Sequence, residues 1–173
     1  MAKKKSSSKK QNNLLFTVIG ILVAALVIAT LAFNVFHKIT FENLLVAEGH
    51  YYTTGAKYIG GLFGENGYTA FVDIAGVISY MLVLLGALSY IVFAVLKVAG
   101  FKINQKLVKL VAYFTVLFGI VFAVMAFISA GNATATLVTP LTKEPIGKVV
   151  ASLSVYLAVF GTIGNAVIAT LDK

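Results

Sequence analysis

Residues 69–98 read TAFVDIAGVISYMLVLLGALSYIVFAVLKV, with a single acid, Asp73, near the start and a single base, Lys97, near the end. A helix of about 20 apolar residues crosses a hydrocarbon core of about 30 Å. At about 1.5 Å per residue this run is longer than the core is thick, so it is expected to tilt or protrude. Strands are disfavoured there, because an open sheet edge leaves backbone groups unsatisfied in lipid. The alanine and leucine content also favours helix.

Three more such runs lie at residues 14–36, 107–130 and 149–171. Over the 173 residues 60% are hydrophobic and 12% charged, against about half and about a quarter in a soluble domain. The sequence therefore predicts an all-α membrane protein, a four-helix transmembrane bundle over residues 14–171. Outer loops fall at 37–68 and 131–148, and an inner loop at 99–106. Residues 1–13, with five lysines, form a basic tail too polar to bury apolar surface and are expected to be disordered. A basic start before an apolar run has the outline of a signal peptide. Here the run is too long and no small-x-small cleavage site follows, so an uncleaved helix is expected.

Lysine placement sets the orientation. With the amino terminus inside, Lys3, Lys4, Lys5, Lys9, Lys10, Lys97, Lys102, Lys106, Lys109 and Lys173 are inside. Only Lys38, Lys57, Lys143 and Lys148 are then outside, together with every acid except Asp172. Lysine-rich short loops stay cytoplasmic, so both termini are expected in the cytoplasm of a multi-pass plasma-membrane protein. The tail lysines, Lys102 and Lys106 are candidates for contact with anionic lipid headgroups. This placement accounts for the net charge of +8 without a nucleic-acid partner.

All fourteen basic residues are lysine, and cysteine, arginine and tryptophan are absent. Lysine in place of arginine suggests an AT-rich genome, such as that of a low-GC bacterium. Without cysteine there are no disulfides, thiolate nucleophiles or cysteine-bound metals. Without arginine there is no bidentate fork for phosphate or carboxylate. No phosphate-binding loop or nucleophile elbow occurs, and no cofactor is expected.

Polar residues inside spans invite functional readings. Asp73 is the one acid in a predicted span, and with Asn34, His37 or Tyr80 as neighbour it is a candidate ion or proton site. Its simpler role is an acid favoured at a helix amino terminus. Small residues recur at four-residue spacing: Gly20 and Ala24; Ala75 and Ser79; Thr115, Gly119 and Ala123; Gly161, Asn165 and Ala169. Such faces allow close helix approach, with Asn165 able to hydrogen-bond across helices. Tyr113 and Tyr156, set inside their spans, are expected to hydrogen-bond within the bundle.

In the outer loop, residues 40–48 suggest a short amphipathic helix. Tyr51, Tyr52, Tyr58, Phe63 and Tyr68 then alternate loosely with glycines. Residues 133–139 alternate small polar and apolar side chains, and short β-strands joining the two outer loops are expected. Glu48-Gly49-His50, with His37, offers metal-ligand types but no fixed geometry. The larger first outer loop, short inner loop and smaller second outer loop resemble the layout of claudins and related tetraspan proteins. Gly61-Leu62-Phe63 is similar to the glycine-leucine-tryptophan of their first loop. The tryptophans and paired cysteines of that signature are missing, so the resemblance is one of topology and no residue role is carried across.

Three functions fit this pattern. The favoured one is a non-enzymatic scaffold or accessory subunit, binding a protein partner or a second copy through small-residue faces and the aromatic outer loop. A small oligomeric channel or transporter would use Asp73. A membrane enzyme would need His37, Glu48 and His50 to gather a metal.

Overall fold

The computed structural model describes residues 2–40, 54–60, 71–136 and 147–171, and the side chains of residues 14–36, 54–60, 74–132 and 150–171. The chain is mostly helical. Its elements in order are α1 (Ala2–Ala29), β1 (Phe36–Thr40), α2 (Gly55–Gly60), α3 (Phe71–Val98), α4 (Gln105–Thr136), β2 (Gly147–Ala151) and α5 (Leu153–Leu171).

Three stretches among the described residues are long and apolar enough to cross a membrane: Ile74–Val98, Gln105–Asn132 and Leu153–Leu171. A shorter apolar stretch, Leu14–Ala29, belongs to α1. The surface supports the membrane reading more strongly than length does. Many of the side chains turned inward are small or hydroxylic, such as Ala24, Thr30, Ala87, Ala126, Ala158 and Thr162, while Leu22, Leu85, Leu88, Leu117, Phe127 and Phe160 are exposed. Large apolar patches on a soluble monomer rarely exceed a few hundred Å². Lipid removes that penalty, and helices in it associate through small residues.

Local signals set the element ends. α3 stops at Gly100, whose φ of 91° is in the left-handed region that glycine tolerates. Phe101 N–H donates to Leu96 C=O and Gly100 N–H to Lys97 C=O, the Schellman pattern. Asn104 caps α4 through its Oδ1, which accepts from Lys106 N–H at 3.0 Å. Thr54 caps α2 in the same way, accepting from Lys57 N–H at 3.3 Å.

The long helices pack in cyclic order, α1 on α3 and α5, α3 on α4, and α4 on α5. β1 and β2 pair antiparallel, with Phe36 opposite Ala151 and Thr40 opposite Gly147.

Several boundaries differ from the sequence expectation. α1 begins at Ala2 rather than at residue 14, so its helical backbone includes the lysine-rich segment expected to be disordered; lysine is a good helix former. It also ends at Ala29, seven residues short of 36, in a string of three-residue turns from Thr30 to Phe33. Residues 149–151, expected in the last helix, belong to β2, and α5 starts only at Leu153. The strand paired with β1 is 147–151 and not 133–139, of which 133–136 continue α4 and the rest lie outside the described residues. Thr40, expected to open a helix, ends β1, and the remainder of that segment is outside the described residues.

Candidate functional site

The most elaborate polar and aromatic cluster lies where α1 ends, α3 and α5 begin and the strands pair. Tyr58, carried by the short α2, is fully buried. Its ring meets Phe36 of β1 edge-on at 5.7 Å, Tyr80 of α3 at 6.2 Å and Phe122 of α4 at 6.1 Å. Tyr80 and Phe122 stack at 4.6 Å with 22° between their planes. Four elements are thus joined by aromatic contacts, each pair adding about 0.5–1.5 kcal/mol beyond area burial.

Hydroxyls extend this cluster. The Thr30 and Tyr80 hydroxyls are hydrogen-bonded at 2.7 Å, and Thr30 Oγ1 also lies 2.5 Å from Val27 C=O. Ser154 Oγ donates to Asn34 C=O at 2.5 Å and is 3.0 Å from Ser152 Oγ. Main-chain bonds complete the stitching. Gly55 N–H donates to Phe33 C=O, Ala56 N–H to Leu31 C=O and Ser152 N–H to Val35 C=O. Gly55 sits so close to Thr30 and Leu31 that a Cβ would collide with their backbone.

Asn34, a candidate for an ion site, is half-buried, and its backbone also bridges to Thr54. Asp73 is in the first turn of α3, and its side chain is outside the described residues. The same holds for the His37 side chain, while Glu48 and His50 lie wholly outside them. Among the described residues no group of histidines and acids could hold a metal.

The small residues lie between helices of this same chain. Gly20 faces the tip of Tyr90, and Gly119 faces the Thr162 hydroxyl. Gly161 faces Val27, and Gly86, outside the four-residue series, faces Thr115. Ala24, Ser79, Thr115, Asn165 and Ala169 are buried. Ala75 and Ala123 are half-buried. Asn165 Oδ1 has no hydrogen-bond partner among the described residues. Tyr113 shares a 3.0 Å hydrogen bond with the Thr170 hydroxyl across α4 and α5. Tyr156 instead meets the Phe127 ring edge-on at 5.9 Å.

The opposite end, around the α3–α4 turn, is more open. Lys102 and Lys106 are exposed. Lys3, Lys4, Lys5, Lys9 and Lys10 belong to the α1 backbone, with side chains outside the described residues. Gln105 Nε2 donates to Ala169 C=O at 3.2 Å and ties α4 to α5. Beside it a cavity of about 20 Å³ is lined by Thr17, Tyr90, Lys97 and Gln105 among others.

Sequence reasoning named Tyr58 and Tyr80 but did not join them. Thr54, Asn104 and Ser152 directly before helices were the readable signals for the starts of α2, α4 and α5. The pairing of Tyr58 with residues 22 and 64 positions later in the chain has no local signal.

Three membrane-length helices with large apolar side chains turned outward define an integral membrane protein of the all-α class. No family model, no curated protein and no solved structure matches the chain.

Proposed function

We propose that this chain is a four-span membrane protein with both termini in the cytoplasm, serving as a non-enzymatic scaffold or accessory subunit. The strand end then faces outward, away from the lysine-rich α3–α4 turn. The observation that carries this reading is the use of the polar groups in the helices. The Thr30, Thr115, Thr162 and Thr170 hydroxyls bond to backbone or to a neighbouring hydroxyl, and the Tyr80 hydroxyl is held by Thr30.

The small residues face other helices of the same chain, which directs partner binding to the outer segments rather than to those faces. Tyr58 is turned inward and is not available to a partner. Tyr51, Tyr52, Phe63 and Tyr68 are the aromatic side chains proposed to dock one. Gentle extraction of the whole chain from its own membrane should bring down a second protein in stoichiometric amount. Replacing those four aromatics by serine should release it. A lone chain or homo-oligomer, whose reconstituted vesicles pass ions and lose that flux with Asp73→Asn, would replace this reading with that of a channel.

A further inference from the structure

Between α4 and α5, near the α3–α4 turn, an open groove of about 300 Å³ is lined by Tyr113, Val116, Ile163, Ala166, Val167 and Thr170 among others. Its walls are apolar apart from the Tyr113–Thr170 hydroxyl pair. Lys106, Lys109, Tyr113 and Val116 follow one another at spacings of three, four and three residues, which places them on one stripe of α4. Lys109 precedes Tyr113 by about 6 Å along the helix axis.

Lys106 is exposed and Lys109 half-buried, and neither makes an ion pair among the described residues. No carboxylate occurs among the described side chains. Asp172, next after Leu171, lies outside them and is followed by Lys173.

We propose that this groove is a site for one anionic phospholipid of the leaflet at the α3–α4 turn. An acyl chain lies against Val116, Ile163 and Val167, and the phosphate is held by Lys106 and Lys109. The Tyr113–Thr170 hydroxyl pair marks the level of the ester groups. Two lysines on the α4 stripe that continues from Tyr113 toward the α3–α4 turn match a ligand that is anionic at one end and hydrocarbon at the other. A free phosphate would leave the groove unused. The inference rests on the membrane location and, for the leaflet, on the orientation proposed above.

The test is native mass spectrometry of the full chain released from micelles, titrated with phosphatidylglycerol or with phosphatidylcholine of the same acyl chains. One phosphatidylglycerol per chain should remain bound, and phosphatidylcholine should bind more weakly. The double change Lys106→Gln with Lys109→Gln should weaken phosphatidylglycerol about 25-fold, about fivefold for each lysine. Val167→Trp, at an exposed position, fills the groove and leaves the lysines in place. It should weaken binding roughly tenfold, the worth of about two methylenes of contact.

Equal binding of the two lipids, or phosphatidylglycerol binding unmoved by either variant, overturns the site. So does inorganic phosphate competing as well as the lipid. A chain recovered from cells without detergent would instead overturn the membrane reading. Co-purification of a partner bears only on the scaffold proposal.

Discussion

The two ends of the helices are built differently. At the strand end, α1, α2, α3, α4 and both strands converge on Tyr58, Tyr80, Phe122 and Phe36, and backbone bonds join segments far apart in sequence. At the turn end, one glycine-stopped turn joins α3 to α4, and the nearby features are a small cavity, an open groove and exposed lysines. Interior packing tolerates little change, whereas an exposed side chain is lost cheaply. The strand end should therefore carry more of the stability, and the turn end should meet lipid and water.

The largest expected contrast compares two tyrosines. Tyr58→Ala empties a fully buried site and should cost about 3–5 kcal/mol. Tyr113→Ala removes a ring that is 54% exposed and should cost less than about 1 kcal/mol. Unfolding the purified chain in mixed micelles, followed by helical circular dichroism, measures both. Equal losses would show that the two ends are not distinguished in this way.

Two glycines give the next contrast. Adding a methyl at Gly55 drives it into the backbone of Thr30 and Leu31, while at Gly20 it meets only the tip of Tyr90. Backbone cannot yield without moving the end of α1, so Gly55→Ala should cost about 1–3 kcal/mol. Gly20→Ala gains up to about 1 kcal/mol of helix propensity, which offsets turning the Tyr90 ring, and should be close to neutral. The same unfolding assay separates them.

These contrasts also show what the sequence could reveal. Uncharged runs such as 110–130 announce a membrane helix because length and hydropathy are local properties. The strand pair is different. Val149, Val150 and Ala151 sit at the head of an apolar run, and only β1, more than 100 residues earlier, makes them a strand. Thr54, Asn104 and Ser152 are cap residues of a kind that is legible locally. Burial of Tyr58 depends on rings supplied by three other elements, so its place in an outer loop pointed toward solvent. The chemistry of the candidate ion site was legible only as a set of residue types, since Asn34, His37 and Asp73 lie in separate segments whose distance the sequence does not fix.

Thr30→Val tests the hydroxyl layer of the strand end. It keeps the shape of a buried residue and removes the 2.7 Å bond to Tyr80. The cost should be about 1–2 kcal/mol, because the Tyr80 hydroxyl loses a partner inside the packed cluster. Tyr80→Phe in the same background should recover part of it, since removing both partners is milder than removing one.

A small effect is also expected at Asn165, past the middle of α5 toward the turn end. It is as buried as many core residues, at 4% exposure, yet its Oδ1 accepts no hydrogen bond from the described residues. An unsatisfied buried acceptor costs about 1–3 kcal/mol, and Asn165→Ala removes it. Alanine is also the better helix former by a few tenths of a kcal/mol. Against this stands the small void that the departing carboxamide leaves among its neighbours, which costs about 1 kcal/mol. The balance should fall within about 1 kcal/mol of zero, although the residue is polar, buried and in a span. Thr30 and Asn165 would then be opposite cases, a paired group whose loss is felt and an unpaired one whose loss is not. A destabilisation above about 2 kcal/mol for Asn165→Ala would mean that its amide holds a group beyond its described neighbours. The turn end would then have a second polar anchor besides Gln105, and the contrast between the two ends would shrink.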